Sequence, residues 1–256
     1  MISKSQVSYI KSLHQKKFRK EHQQFIIEGE KLCDEFLTSE YSVQNIYVLE
    51  SKREKYELLL SKLSKIIEIE VLKAEEMDKI SLLSTSSEVL CLVNNPSEPM
   101  LSEITTDYLG KELVLVLDGV KDPGNMGTII RIADWFGIKH IICSQESVEL
   151  YNPKVVQSTM GSILRTKVHY ANLEEFLGLN AGVPIYGALL EGENVYHLSE
   201  KIKGFLVMGS ESHGISEQLL PLINRPITIP SFGLAESLNV AVATGILCSE
   251  AKRRDI

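Results

Sequence analysis

Residues 113–137, LVLVLDGVKDPGNMGTIIRIADWFG, constrain the fold more than any other stretch of the chain. Five consecutive apolar residues, Leu113 to Leu117, read as a strand covered on both faces. Asp118-Gly119 ends that strand, and Lys121-Asp122-Pro123-Gly124-Asn125 is turn chemistry, with φ fixed at Pro123 and free at Gly124. A helix is expected next, capped by Asn125 and stopped at Gly137. Ile129, Ile130, Ala133 and Phe136 make its apolar stripe. Arg131 falls off that stripe, on the side of Thr128 and Asp134. A strand, a glycine-containing turn and a helix in this order place polar groups at the carboxyl edge of a parallel sheet.

The same alternation continues to the end of the chain. Strands are expected over residues 140–143, 167–169, 184–190, 205–208 and 227–229, and helices over 127–136, 153–161, 173–177, 217–223 and 239–252. This pattern predicts an α/β fold with a mostly parallel sheet and helices on both faces. The first 95 residues alternate on a smaller scale. They carry expected strands at 25–27, 45–49, 66–71 and 89–93 and helices at 30–37, 55–63 and 75–80. Residues 96–111, entered through Asn95-Pro96 and holding Glu98-Pro99, read as a linker between a small α/β domain (1–95) and a larger one (112–256).

Charge separates the two ends of the chain. Residues 1–20 hold Lys4, Lys11, Lys16, Lys17, Arg19 and Lys20 and no acid, so they carry +6. The net charge is −7, which leaves −13 on the remainder. A basic arm on an acidic body suits local phosphate contact, although a solvated amphipathic helix would look similar. No apolar run approaches the roughly 18 residues of a membrane span. The start of the chain lacks the apolar core of a secretory signal. Cys33, Cys91, Cys143 and Cys248 are scattered without a paired motif, which points to reduced thiols, a cytoplasmic setting and no metal site.

Three segments at strand carboxyl ends could carry chemistry: the turn after residue 117, VMGSESHG (207–214), and IPSFGLAESLN (229–239). In an open parallel sheet they converge on one crevice. The glycine spacing 119, 124, 127 fits neither a dinucleotide fingerprint nor a phosphate loop. Ser210-Glu211-Ser212-His213 lacks the G-x-S-x-G elbow of serine hydrolases. Taken singly, Asn125, Ser237 and Asn239 read as helix caps, Arg131 as a surface cation, Glu211 as a loop acid and Trp135 as core or interface.

Taken together, DGVKDPGNMGTIIRIADWFG, VMGSESHGIS and IPSFGLAESLNVAVA resemble the three motifs of the SpoU/TrmH family of the SPOUT superfamily, S-adenosylmethionine-dependent RNA ribose 2′-O-methyltransferases. The segment YNPKVVQSTMGSILRTKV, 151–168, is similar to the family's linking segment. The stretch KKFRKEHQQFIIEGEKLCDE is similar to the small ribosomal-protein-like substrate-binding domain that many members carry. The resemblance implies a C-terminal trefoil knot, a homodimer and S-adenosylmethionine held through Gly209, Ile229 and Leu238. It puts Asn125, Arg131, Glu211, Ser237 and Asn239 on active-site positions. The chain departs from the pattern at Ser210 and at Ser231-Phe232, on the pocket wall.

In this reading Lys11, Lys16, Lys17, Arg19 and Lys20 contact RNA. If all six basic residues of the arm did so, log K would fall with log[salt] at a slope of about −4 to −5. A ribose hydroxyl must lose its proton during attack. Arginine stays protonated in proteins, which favours Arg131 as a cationic stabiliser, with Glu211 orienting it or receiving the proton, over Arg131 as a base. Ribosomal RNA is the favoured substrate. Transfer RNA and a catalytically silent RNA-binding protein on the same fold are the alternatives.

Overall fold

A computed structural model describes residues 2–63 and 67–253. The chain forms two compact units, residues 1–97 with 151–164, and residues 98–150 with 165–256. The sequence placed a single cut at 96–111. The structure instead assigns residues 151–164, from within the second half, to the first unit.

The first unit is built on a four-stranded sheet of β1 (Gln24–Glu28), β2 (Val43–Leu49), β3 (Glu68–Leu72) and β4 (Val89–Asn94), in the order β1-β4-β2-β3. β4 runs antiparallel to both neighbours, and β3 lies parallel to β2. The expected strand at 66–71 begins on Ile66, which lies outside the described residues. Helices α1 (Lys4–Ser12), α2 (Lys16–His22), α3 (Glu30–Thr38), α4 (Arg53–Ser61) and α5 (Ala74–Met77) surround the sheet. Ser3 opens α1 with a reciprocal cap to Gln6. Ile10 and Leu13 join Ile26, Tyr47, Leu72, Met77, Leu90 and Leu92 in one core cluster. On Phe25 the rings of Phe36 and Tyr151 close, the second stacked at 4.4 Å. Tyr151 thus anchors residues 151–164 in this unit by aromatic burial.

The second unit holds a six-stranded sheet, entirely parallel. In chain order come α6 (Thr106–Leu109), β5 (Leu113–Leu117), α7 (Pro123–Trp135), β6 (His140–Ser144), β7 (Lys167–Ala171), α9 (Leu173–Leu179), β8 (Ile185–Asn194), β9 (Gly204–Met208), β10 (Arg225–Thr228) and α10 (Val240–Lys252). The helix omitted from that series, α8 (Pro153–Thr159), belongs to the first unit. The strand order is β10-β8-β9-β5-β6-β7, every pair parallel. All five residues of β5 are buried, as the unbroken apolar run required. From β5 the chain moves outward through β6 and β7, then returns to the other side for β8 and β9. The direction of winding reverses between β5 and β9, where a parallel sheet opens its ligand crevice.

Two expectations are corrected. The helix over 217–223 is only a 3-10 turn at Leu220–Leu222, because Pro221 lacks the amide a regular helix needs. β8 continues to Asn194 and slips register against β10 between Pro226 and Ile227. Among the described residues, no helix is long and apolar enough to cross a membrane. The four cysteines are buried free thiols, and burial pushes the Cys248 thiol up to about 12.

Candidate active site

The site of the second unit starts where β5 ends. The Asp118 amide donates to the carbonyl of Met208, the last residue of β9, at 2.9 Å, carrying the β5–β9 ladder one residue past the end of β5. The Asp118 carboxylate accepts from the Ser216 amide at 2.7 Å, and Gly119 turns the chain at φ +71°. Asp122, rather than the expected Asn125, caps α7, and its side chain accepts from the Asn125 amide at 2.8 Å. Pro123 occupies the first turn, where no amide partner is needed. Asn125 therefore sits inside the helix, with its side chain released for other partners.

Those partners come from the other two loops. Asn125 Nδ2 donates to Glu211 Oε1 at 2.9 Å, and Asn125 Oδ1 accepts from Asn239 Nδ2 at 2.9 Å. Asn239 Oδ1 accepts from the amides of Ala241 and Val242 at 2.9 and 3.3 Å, capping α10. Chemistry fixes both amide orientations. A backbone N–H can only donate, so Asn239 must present oxygen to it and nitrogen to Asn125. Asn125 then has only its own nitrogen left for a carboxylate. The chain of donors runs from the N-terminus of α10 through Asn239 and Asn125 to Glu211, and its last bond is charge-assisted.

The loop that carries Glu211 is a tight reversal. Ser210 and Gly214 exchange backbone hydrogen bonds at 2.9 and 3.1 Å. Gly209 precedes it with no room for a side chain, since an added Cβ would lie 2.0 to 2.4 Å from the backbone of Gly214 and Ile215. His213 is exposed and serves the turn through its amide, bonded to Ser210 Oγ at 3.2 Å.

The third loop is of a different kind. Among the described residues, no backbone–backbone hydrogen bond holds residues 229–238. Phe232, Leu234 and Leu238 stand in solvent. The Ile229 carbonyl accepts from Thr228 Oγ1 at 3.5 Å, while the backbone of Leu238, next to the Asn239 cap, makes no backbone–backbone hydrogen bond. That donor set suits a ligand with an edge of mixed donors and acceptors and no fixed charge, such as a purine.

Of the expected catalytic residues, Asn125, Glu211 and Asn239 meet directly. Ser237 is exposed and makes no hydrogen bond among the described residues. Arg131 is exposed on α7 and likewise has no partner there. The expected orientation of Arg131 by Glu211 is not what forms, because the bonded partner of Glu211 is Asn125. Asp134, the acid nearest Arg131 in sequence, is taken by Arg165 at 2.9 Å. Sequence reading missed Asp122 as the cap. The signal was present, since an acid directly before Pro-Gly is a regular helix start.

The basic arm is also sorted by the fold. Lys11, Lys16, Lys17 and Lys20 are exposed, whereas Arg19 is 2% exposed. Its Nη1 donates to the Leu13 carbonyl at 2.8 Å, satisfying a carbonyl left open where α1 ends. Arg19 is therefore corrected from an RNA contact to a structural cation.

Residues 4–91 match the MRM3-like substrate binding domain. The chain is 32% identical over 240 residues to the 23S rRNA (guanosine(2553)-2'-O)-methyltransferase RlmP of Bacillus subtilis, covering 93% of this chain and 92% of that one. It is 26% identical to the 23S rRNA (guanosine-2'-O-)-methyltransferase RlmB of Neisseria meningitidis, over 84% and 89% of the two chains. Among solved structures, an AdoMet-bound rRNA methyltransferase from Sinorhizobium meliloti superposes with a TM-score of 0.87 at 29% identity, over 100% of this chain and 97% of the other. Residues 112–249, which contain all three converging loops, match the SpoU rRNA Methylase family. The chain belongs to that family.

Proposed function

We propose that the protein transfers a methyl group from S-adenosylmethionine to a ribose 2′-hydroxyl of ribosomal RNA. The observation that carries this reading is the Asn239–Asn125–Glu211 hydrogen-bonded chain, which ties three loops together at the point where the sheet reverses direction. Backbone groups of Gly209, Ile229 and Leu238 would hold the cofactor, which supplies an electrophilic methyl on a sulfonium. The protein's own residues position and discharge the nucleophile. Asn125 fixes one oxygen of Glu211 and leaves Oε2 without a protein partner among the described residues, able to take the hydroxyl proton. Arg131, always cationic and not neutralised by any described residue, grips the neighbouring phosphate and stabilises charge developing on the ribose oxygen. Ser237 adds a hydroxyl on the same loop as the cofactor contacts.

Two further features belong to this reading. β10 is an edge strand, yet α10 packs on α7, the helix that follows β5. Residues 229–239 must therefore carry the chain back past β8 and β9, the path a trefoil knot would take. Trp135 on α7 is 84% exposed, and Val242 on α10, which packs on α7, is exposed as well. A second copy of the chain covering this face gives a homodimer. The four exposed lysines, with Lys4, serve RNA phosphates, and a cytoplasmic location follows from a ribosomal substrate.

The test is incubation of the purified chain with methyl-labelled cofactor and ribosomal RNA, followed by alkaline cleavage. Label should appear at alkali-resistant linkages, because a 2′-O-methyl group removes the attacking hydroxyl. Label found only on bases would overturn the ribose assignment.

A further inference from the structure

Beside the lysines of the first unit lies a group of rings that the reaction does not use. His22, the last residue of α2, is exposed. Its ring meets Tyr9 of α1 with centroids 4.9 Å apart and planes tilted by 59°. It runs nearly parallel to Phe18, one helical turn back, at 6.3 Å and 12°. Lys17 places its ammonium 5.6 Å from the Phe18 centroid. Tyr9 is held by its hydroxyl, which donates to Gln24 Oε1 at 2.5 Å, and Gln24 Nε2 in turn donates to Asn94 Oδ1 at 2.8 Å. Phe18 and Tyr9 are half-buried and His22 is not, so the rings form a fixed step with one open member. Tyr9 also packs against the core cluster of this unit, but burial does not account for the exposed ring of His22. The inner face of the same two helices is already filled by Ile10, Leu13 and Arg19.

We infer that Tyr9, Phe18 and His22 form a stacking shelf for an unpaired nucleobase of the substrate RNA, flanked by Lys16, Lys17 and Lys20 for its phosphates. The inference rests on the RNA reading above and adds to it a preference for a single-stranded or looped-out nucleotide. Lysines alone recognise any nucleic-acid backbone, and duplex RNA buries its bases within the stack. Aromatic faces interleaved with cations are the arrangement that selects exposed bases. Gln24 and Asn94, amides at the edge of β1 and β4, give the shelf a polar border capable of hydrogen bonding to a base edge.

The experiment compares binding of the full chain to a short fluorescent oligoadenylate and to the same backbone with abasic residues. Anisotropy titrations at several salt concentrations supply Kd and its salt slope. His22→Ala removes the exposed ring, and Phe18→Leu keeps the buried volume while removing the aromatic face. Each should weaken oligoadenylate binding about tenfold, leave abasic binding unchanged and preserve the salt slope. Lys16→Ala with Lys17→Ala should weaken both ligands and flatten the slope by about 1.4. Thermal melts of each variant confirm the fold. Equal loss on both ligands in the ring variants, or no loss on either, overturns the shelf while leaving the methyltransferase reading intact. A chain that binds neither oligomer but still methylates ribosomal RNA also overturns it. A chain that does neither defeats both readings.

Discussion

The side-chain amide of Asn125 donates to Glu211 at 2.9 Å across 86 residues of intervening sequence. That bond joins the first turn of α7 to the turn after β9, and its orientation is set by Asn239 on the far side. Asn125 is thus the middle of the site, although taken singly its place in the sequence suggests a helix cap.

Replacing Asn125 with Asp tests this directly. The new carboxylate cannot donate to Glu211 and meets it as a like charge, so the two loops should separate. Turnover should fall about 10²-fold, in line with the loss of positioning for an in-line transfer, while the melting temperature changes little. Steady-state kinetics and a thermal scan on the same preparation read both quantities. Turnover within a factor of two of the parent would remove Asn125 from the machinery.

Arg131→Lys keeps a cation but loses the planar fork. If Arg131 stabilises developing charge and clamps a phosphate, this variant should retain cofactor affinity by calorimetry and lose about 10²- to 10³-fold in turnover. A base role predicts instead that the lysine variant recovers activity as pH rises through the lysine range, which the pH profile separates.

Gly209→Ala addresses the cofactor loop. The added methyl would overlap the Gly214–Ile215 backbone, so the reversal must open, at a cost of about 1–3 kcal/mol. Weaker S-adenosylmethionine binding together with a lower melting temperature is expected, and unchanged calorimetric affinity would argue that the loop does not touch the cofactor.

A histidine pair makes the second unit acid-sensitive. His140, 5% exposed, is held down to about 4 by burial first and by neighbouring His169 second. His169 is also lowered by burial. His169 Nδ1 faces the Pro99 carbonyl at 3.2 Å, which can only accept, so His140 Nδ1 is the donor to His169 Nε2 at 3.0 Å. The folded state resists protonation that the unfolded chain accepts near 6.5. Stability is therefore complete above about pH 6.5 and declines toward pH 4, by on the order of 3 kcal/mol from His140. Chemical denaturation across this range should show the decline, and His140→Phe should flatten it.

Lysine and arginine in the arm should behave differently. Alanine at Lys16, Lys17 or Lys20 should reduce the salt slope of RNA binding by about 0.7 to 0.9 each and leave stability unchanged. Arg19→Ala should leave the slope alone and destabilise the first unit by about 1–3 kcal/mol, because the Leu13 carbonyl loses a charged donor. Parallel salt titrations and melts distinguish the two effects.

The sequence by itself determined the layered parallel sheet, the three loops and the family. Each of these depends on local pattern: the unbroken apolar run of β5, the turn residues after it and the order of three motifs along the chain. It also marked Asn125, Glu211 and Asn239 as candidates without saying that they touch. Only the tertiary structure decided that, because a hydrogen bond between residues 86 or 114 apart exists only once β5, β9 and α10 are placed side by side. The same holds for Arg19, which shares its composition and neighbourhood with Lys16, Lys17 and Lys20. Packing of α2 beside the end of α1 turned one of four similar cations inward to an open carbonyl and left the other three facing water.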